Sequence, residues 1–166
     1  MQFGKFKSIE DFLISYKKAE NKEFLDLLKK TDRSLQPILL RERKNRNIAE
    51  VDAVTIEHQP DDTDGDKHIH LKINVSGIID ASTVVLNDVE KCKNEKLPVF
   101  VSVRYGDKMG IEEPINEGLE EGGTLHLRGE WIPADKAYSH GGERMSVLHF
   151  THHPLGFICT SSKCYE

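Results

Sequence analysis

No stretch of this 166-residue chain reaches 18 consecutive apolar residues, so nothing in it reads as a membrane-spanning helix. The opening Met1-Gln2-Phe3-Gly4-Lys5-Phe6-Lys7 lacks the apolar core of a secretory signal, and a cytoplasmic setting is the expectation. Aromatic residues are scarce, at 7%, with a single tryptophan. Only three cysteines occur, Cys92, Cys159 and Cys164. An odd count fits reduced thiols better than a disulfide framework, although Cys159 and Cys164 are close enough in sequence to pair under oxidation. Three catalytic signatures are also missing: the Gly-x-Ser-x-Gly elbow, the phosphate-binding Gly-x-x-x-x-Gly-Lys loop and the dinucleotide fingerprint. Asp62, Asp64 and Asp66 imitate the start of a calcium loop, but Lys67 stands where glycine is needed and Ile73 where the bidentate glutamate belongs.

What is present begins with charge. Residues 1–50 carry 12 Lys and Arg against 8 Asp and Glu, whereas residues 51–166 carry 11 against 20. A basic N-terminal element therefore stands beside an acidic body, which disfavours tight nonspecific DNA binding while leaving room for a local basic groove. Ile9, Phe12, Leu13 and Tyr16 recur at helical spacing behind Ser8 as N-cap, and Phe24, Leu27 and Leu28 continue the stripe, predicting helix over 8–31. That helix covers one end of a barrel or docks a partner or second copy, which makes homo-oligomerisation through it an expectation. The cluster Arg41-Glu42-Arg43-Lys44-Asn45-Arg46 is a solvated loop or a phosphate-contacting arm.

From about residue 50 the texture changes to strands. Val51–Ile56 precedes a turn-rich run over residues 59–66, and His68-Ile69-His70-Leu71-Lys72-Ile73-Asn74-Val75 alternates without a fault. Val99–Tyr105, Thr124–Trp131 and Met145–Thr151 follow the same period, residues 78–89 are a further strand candidate, and Ile111–Leu119 reads as loop. Five or six short strands after one helical segment predict a small closed barrel or sandwich.

Strand phase assigns faces. With Ile69, Leu71, Ile73, Val99, Val101, Val103, Leu125, Leu127, Leu148 and Phe150 inside, the outward set is His68, His70, Lys72, Phe100, Ser102, Arg104, His126, Arg128, His149, Thr151 and His153. Trp131 falls with the core by parity. The outward set holds five of the eight histidines, so it is either an ordinary polar exterior or a ligand-binding face. Imidazoles there can stack on bases, titrate near neutral pH or hold a metal. Candidate metal ligands are His68 and His70, spaced about 6.5–7 Å along one strand side, joined by His149 or His153. A second set combines His152 or His153 with Cys159 and Cys164 around zinc, at a looser spacing than the usual two-residue knuckle.

The segments Asp61-Asp62…Gly65-Asp66-Lys67-His68, Leu127-Arg128-Gly129-Glu130-Trp131 and His149-Phe150-Thr151-His152-His153-Pro154 resemble a bacterial family of uncharacterised OB-fold-like domains. That family carries a His-Trp-Thr-His-His-Asp-Pro segment after a Gly-Glu-Tyr-Glu-Trp-like strand, and the tail Gly156-Phe157-Ile158…Cys164-Tyr165-Glu166 is similar to its ending. The resemblance covers roughly residues 48–166 and maps its motif onto His68, Glu130, His149, His152 and His153. This chain departs from it at Phe150, which replaces Trp, at Pro154, which follows the histidines with no Asp between, and at Arg104-Tyr105-Gly106 in place of a His-Asn pair. The resemblance implies a five-stranded OB-like barrel and a nucleic-acid-binding role.

The reading is a mainly β chain: an N-terminal helical extension over 1–47 and an OB-like Greek-key barrel over 48–166. The expected function is a noncatalytic module for single-stranded nucleic acid or another extended ligand. Lys72, Arg104 and Arg128 would contact phosphate, while Phe100, His68, His70, His126, His149 and His153 would stack or bond to bases, with affinity rising from pH 7.5 to 6. The alternative is a metal-dependent hydrolase with the histidine cluster as ligands and Glu130 as base.

Overall fold

The computed structural model describes residues 47–166 apart from 63, 64, 66, 108, 109, 141, 153 and 154. The expected helix over 8–31, the basic cluster at 41–46 and His153 lie outside the described residues.

Period-two alternation places one side of each strand inward. β1 (Ile48–Asp62), β2 (His68–Ala81), β3 (Val99–Arg104), β4 (Thr124–Ile132) and β5 (Ser146–His149) wrap one core. Ile69, Leu71 and Ile73 from β2 meet Val99, Val101 and Val103 from β3 there, with Leu127 and Leu148 alongside. Full burial of each such side chain stabilises the fold by about 1.5–3 kcal/mol relative to exposure. The strand order is β1-β2-β3-β5-β4, and antiparallel pairing of β4 with β1 closes the ring. Only β3 and β5 pair in parallel within the ring, because β4 intervenes in sequence and returns on the far side of β5. This is a five-stranded, OB-like Greek-key barrel. β1 and β2 run 15 and 14 residues, longer than the short strands expected, and four register shifts in their pairing let the hairpin coil around the barrel.

Residues 78–89 do not form a separate strand. β2 continues to Ala81, and α1 (Leu86–Asn94) follows. Val85, Val89 and Cys92 recur at i, i+4 and i+7 and dock on the core. α1 covers the end where β4 finishes and β5 begins. There Asp88 Oδ2 accepts hydrogen bonds from Trp131 Nε1 and Ser146 Oγ, each at 2.7 Å. The buried side chains Ile111, Ile115 and Leu119, in the β3–β4 connection, close the opposite end.

β6 (Phe157–Cys159) pairs with β4 beside β5, and β7 (Cys164–Tyr165) pairs with β6. Cys159 and Cys164 face each other in that register and are joined by a disulfide, where reduced thiols were expected from the odd cysteine count. Only Cys92 is a free thiol, buried against the barrel. Among the described residues, no helix is long and apolar enough to cross a membrane.

Candidate functional site

Pairing register sorts the outward side chains into two groups. The first spans β2, β3 and β5. His70 lies opposite Ser102, Glu130 lies opposite His149, and Ser102 stands one step beyond the Val101–Leu148 pair. His70 and His149 are therefore two strands apart, about 10 Å. The rings on this face form a run. His68 and His70 have centroids 6.2 Å apart, His70 and Phe100 5.1 Å, and Phe100 and His140 3.9 Å with planes only 9° apart. Beside the end of β5, His149 lies 4.2 Å from Phe150, which meets His152 edge-on at 5.9 Å.

His140 comes from the β4–β5 connection, whose Ala137 and Met145 pack on the outer face. Phe100 points outward as its parity predicts, but it is only 3% exposed because Ala137, Met145 and Val147 pack around it. The expected exposed stacking residue is thus covered. The other corrections lie at the end of β5. Phe150 adopts φ of 52°, the left-handed region that a bulky side chain rarely enters, and the alternation stops there. As a result Phe150, expected in the core, is 42% exposed, while Thr151, expected outside, is buried with its hydroxyl donating to the Ser102 carbonyl at 3.3 Å.

The second group lies on β1, β4 and β6. Glu50 stands opposite Arg128 and Asp52 opposite His126. Glu50 is fully buried on the outer side of the barrel, with Oε1 3.5 Å from Arg128 Nη1 and Oε2 3.5 Å from His126 Nε2. His126 Nδ1 lies 2.8 Å from Asp52 Oδ1, and its ring stacks on Phe157 at 5.5 Å. Arg128, expected exposed, is buried and donates from Nε to the Leu155 carbonyl at 3.3 Å.

All three cations assigned to phosphate have carboxylate partners. Lys72 Nζ is 3.2 Å from Glu57, Arg104 holds Asp107 through Nε and Nη2 at 2.7–3.2 Å, and Arg128 faces Glu50. The imidazoles differ by surroundings. Burial lowers the pKa of His70, and His68 and His140 add to the lowering against the pull of Asp62 and Asp61. Burial lowers His140 as well. His149 is lowered by burial and by His152, although Glu130 Oε2 lies 2.9 Å from its Nε2 and opposes the shift. At His126 burial also pulls downward, but Glu50 and Asp52 together outweigh it and raise the pKa. On the first face burial thus favours the neutral form of His70, His140 and His149, whereas on the second the two carboxylates favour the protonated form of His126.

Among the described residues, no three His, Cys, Asp or Glu side chains converge on a point where a metal could sit. His68 and His70 adjoin, but His149 stands across β3 from them, and Cys159 and Cys164 offer no thiolate while bonded to each other. Glu130 contacts His149 directly.

Parity in the sequence located His68, His70 and His149 on one face. It missed His140, which sits in a loop with no periodicity to place it. Glu50 and Asp52 were also missed, although their even positions, just before and within the Val51–Ile56 run, marked them as outward. Their pairing with Arg128 and His126 emerges only from the β1–β4 register. No known protein family, characterised protein or solved structure matches this chain.

Proposed function

We propose that this barrel is a noncatalytic binding module whose ligand, a single-stranded nucleic acid, lies across β2, β3 and β5. The observation that carries the reading is the run of rings from His68 through His70 and Phe100 to His140, with His149, Phe150 and His152 beside it. Of these rings His68, His70, His140, His149 and Phe150 are at least partly exposed and can stack on successive bases, and the β2–β3 face of an OB barrel is where oligonucleotides dock. The resemblance to a bacterial OB-fold-like family points the same way, and a cytoplasmic setting belongs to the same proposal.

The charges refine the mechanism. Because Lys72, Arg104 and Arg128 already neutralise carboxylates, phosphate contacts contribute little, and stacking together with imidazole hydrogen bonds supplies the affinity. Fluorescence anisotropy of a labelled dT12, titrated with tag-free protein at 50 and 200 mM salt, tests this. Binding should be weak, with Kd of about 1–100 µM, and the slope of log K against log salt should be no steeper than about −1. A slope near −2 would mean that all three cations leave their partners for phosphate. No binding at either salt would remove nucleic acid as the ligand class.

The lowered pKa values of His70, His140 and His149 also move the pH response. Any rise in affinity on acidification should therefore come at lower pH than the rise across 7.5 to 6 expected for ordinary histidines.

A further inference from the structure

We infer that His140 is a built-in stand-in for the ligand: a nucleobase that binds this face displaces the His140 imidazole and takes its place on Phe100. The inference rests on the binding reading above and names which ring is exchanged.

Three observations carry it. The Phe100–His140 contact, at 3.9 Å and 9°, has the separation and parallelism of a base stacked on an aromatic side chain, whereas the His70–Phe100 contact is tilted by 51°. Next, the position of His140 in its loop separates it from the part that must stay. Ala137 and Met145 anchor the loop in the cluster around Phe100. His140 sits at the tip, next to a Tyr138 that is 89% exposed, and is closed by paired backbone hydrogen bonds to Glu143 with Gly142 at φ of 84°. Gly142 supplies the left-handed turn that other residues resist. The exchange thus requires movement of His140 alone and leaves the packing of Ala137 and Met145 in place. Finally, among the described residues the His140 side chain makes no hydrogen bond or ion pair, so leaving Phe100 breaks only ring contact.

The chemistry of the surroundings favours a base over an aromatic side chain of a peptide. His70 lies beside the Phe100 ring, at 5.1 Å between centroids, and its imidazole can meet the polar edge of a base. A Phe or Leu side chain would gain nothing from it. Burial lowers the His140 pKa and so favours its neutral form, a planar heterocycle like the base that would replace it.

The test compares wild type, His140→Ala and Phe100→Leu by anisotropy with labelled dT12 and with an abasic 12-mer carrying the same phosphates. The His140 ring protons, shifted upfield by Phe100 in the free protein, are followed by NMR during the same titration. Removing the competing ring should tighten dT12 binding about 2- to 10-fold in His140→Ala. The His140 resonances should move downfield on binding, Phe100→Leu should weaken binding at least about tenfold, and the abasic 12-mer should not bind. Binding by His140→Ala alone would also support the inference, as a tightly held stand-in. Wild-type binding that is unchanged or weaker in His140→Ala, or that leaves the His140 resonances in place, overturns it while the binding module stands. Equal affinity for the abasic strand overturns base exchange in the same way. Failure of both wild type and His140→Ala to bind removes the nucleic-acid reading itself. Phe100→Leu is interpreted only where its thermal melt matches wild type; otherwise His140→Ala and the NMR readout decide.

Discussion

At the residue scale, one carboxylate joins the capping helix to the barrel. Trp131 is fully buried, and its indole N–H donates to Asp88, as does the Ser146 hydroxyl, which Cys92 Sγ also approaches at 3.6 Å. The bland explanation of Trp131, packing, is thereby correct but incomplete, since a buried indole N–H without an acceptor is costly. Asp88→Ala strands both donors and should destabilise the fold by about 2–4 kcal/mol. Asp88→Asn keeps an acceptor oxygen and should lose about half as much. Urea unfolding followed by the fluorescence of Trp131, the only tryptophan, measures both. Equal midpoints for Asp88→Ala and wild type would mean that the indole finds another acceptor.

At the scale of elements, the decisive feature is the interruption between β5 and β6. Both pair with β4, at Glu130–Ile132 and at His126–Arg128, and residues 150–152 and 155–156 between them lie outside the sheet. Two glycines permit it. A Cβ on Gly129 would run into the His149 carbonyl, and one on Gly156 into the carbonyls of Arg128 and Phe150. Gly129→Ala and Gly156→Ala should each cost about 2–4 kcal/mol, because backbone and not a flexible side chain must give way. A loss below about 1 kcal/mol in both would show that the excursion adapts freely. The disulfide acts next door. It closes a loop of about six residues, for which the chain-entropy relation gives about 2 kcal/mol, so Cys164→Ser should lower stability by that order without changing the fold.

These elements also show what could be read from sequence. The alternation over His68–Val75, Val99–Arg104 and Thr124–Trp131 identified three barrel strands and their inward side chains. It did so because a buried face imposes period two regardless of the strand's neighbours. α1 was missed although Val85, Val89 and Cys92 carry its helical spacing, since three apolar residues in a polar stretch are a weak signal against a preceding strand. The exit of Phe150 was not legible, because alternation continues on paper through a residue whose backbone has turned. Burial of Phe100, Arg128 and Glu50 on the outer side depends on which segments cross over the barrel, and local pattern carries no record of that.

Over the whole molecule, the two groups of histidines make stability depend on pH with opposite signs. His126 has its folded pKa raised above the free value of 6.5, with Glu50 and Asp52 from β1 and Arg128 from its own strand around it. The folded state then holds the proton more tightly than the unfolded chain. Its stabilisation is complete below 6.5 and is lost as pH rises through the raised value. His70, His140 and His149 have folded values below 6.5, so the unfolded chain takes up protons first, and their contribution is lost as pH falls from 6.5 through the lowered values. Together they should place the stability maximum near pH 6.5, with a decline on either side that ordinary surface histidines would not give. Urea midpoints from pH 5.5 to 8.5 separate the limbs. His126→Gln should flatten the alkaline limb and leave the acid one, whereas His149→Gln should soften the acid limb and leave the alkaline one. An alkaline limb that survives in His126→Gln would mean that the proton between Glu50 and Asp52 is not what links this face to folding.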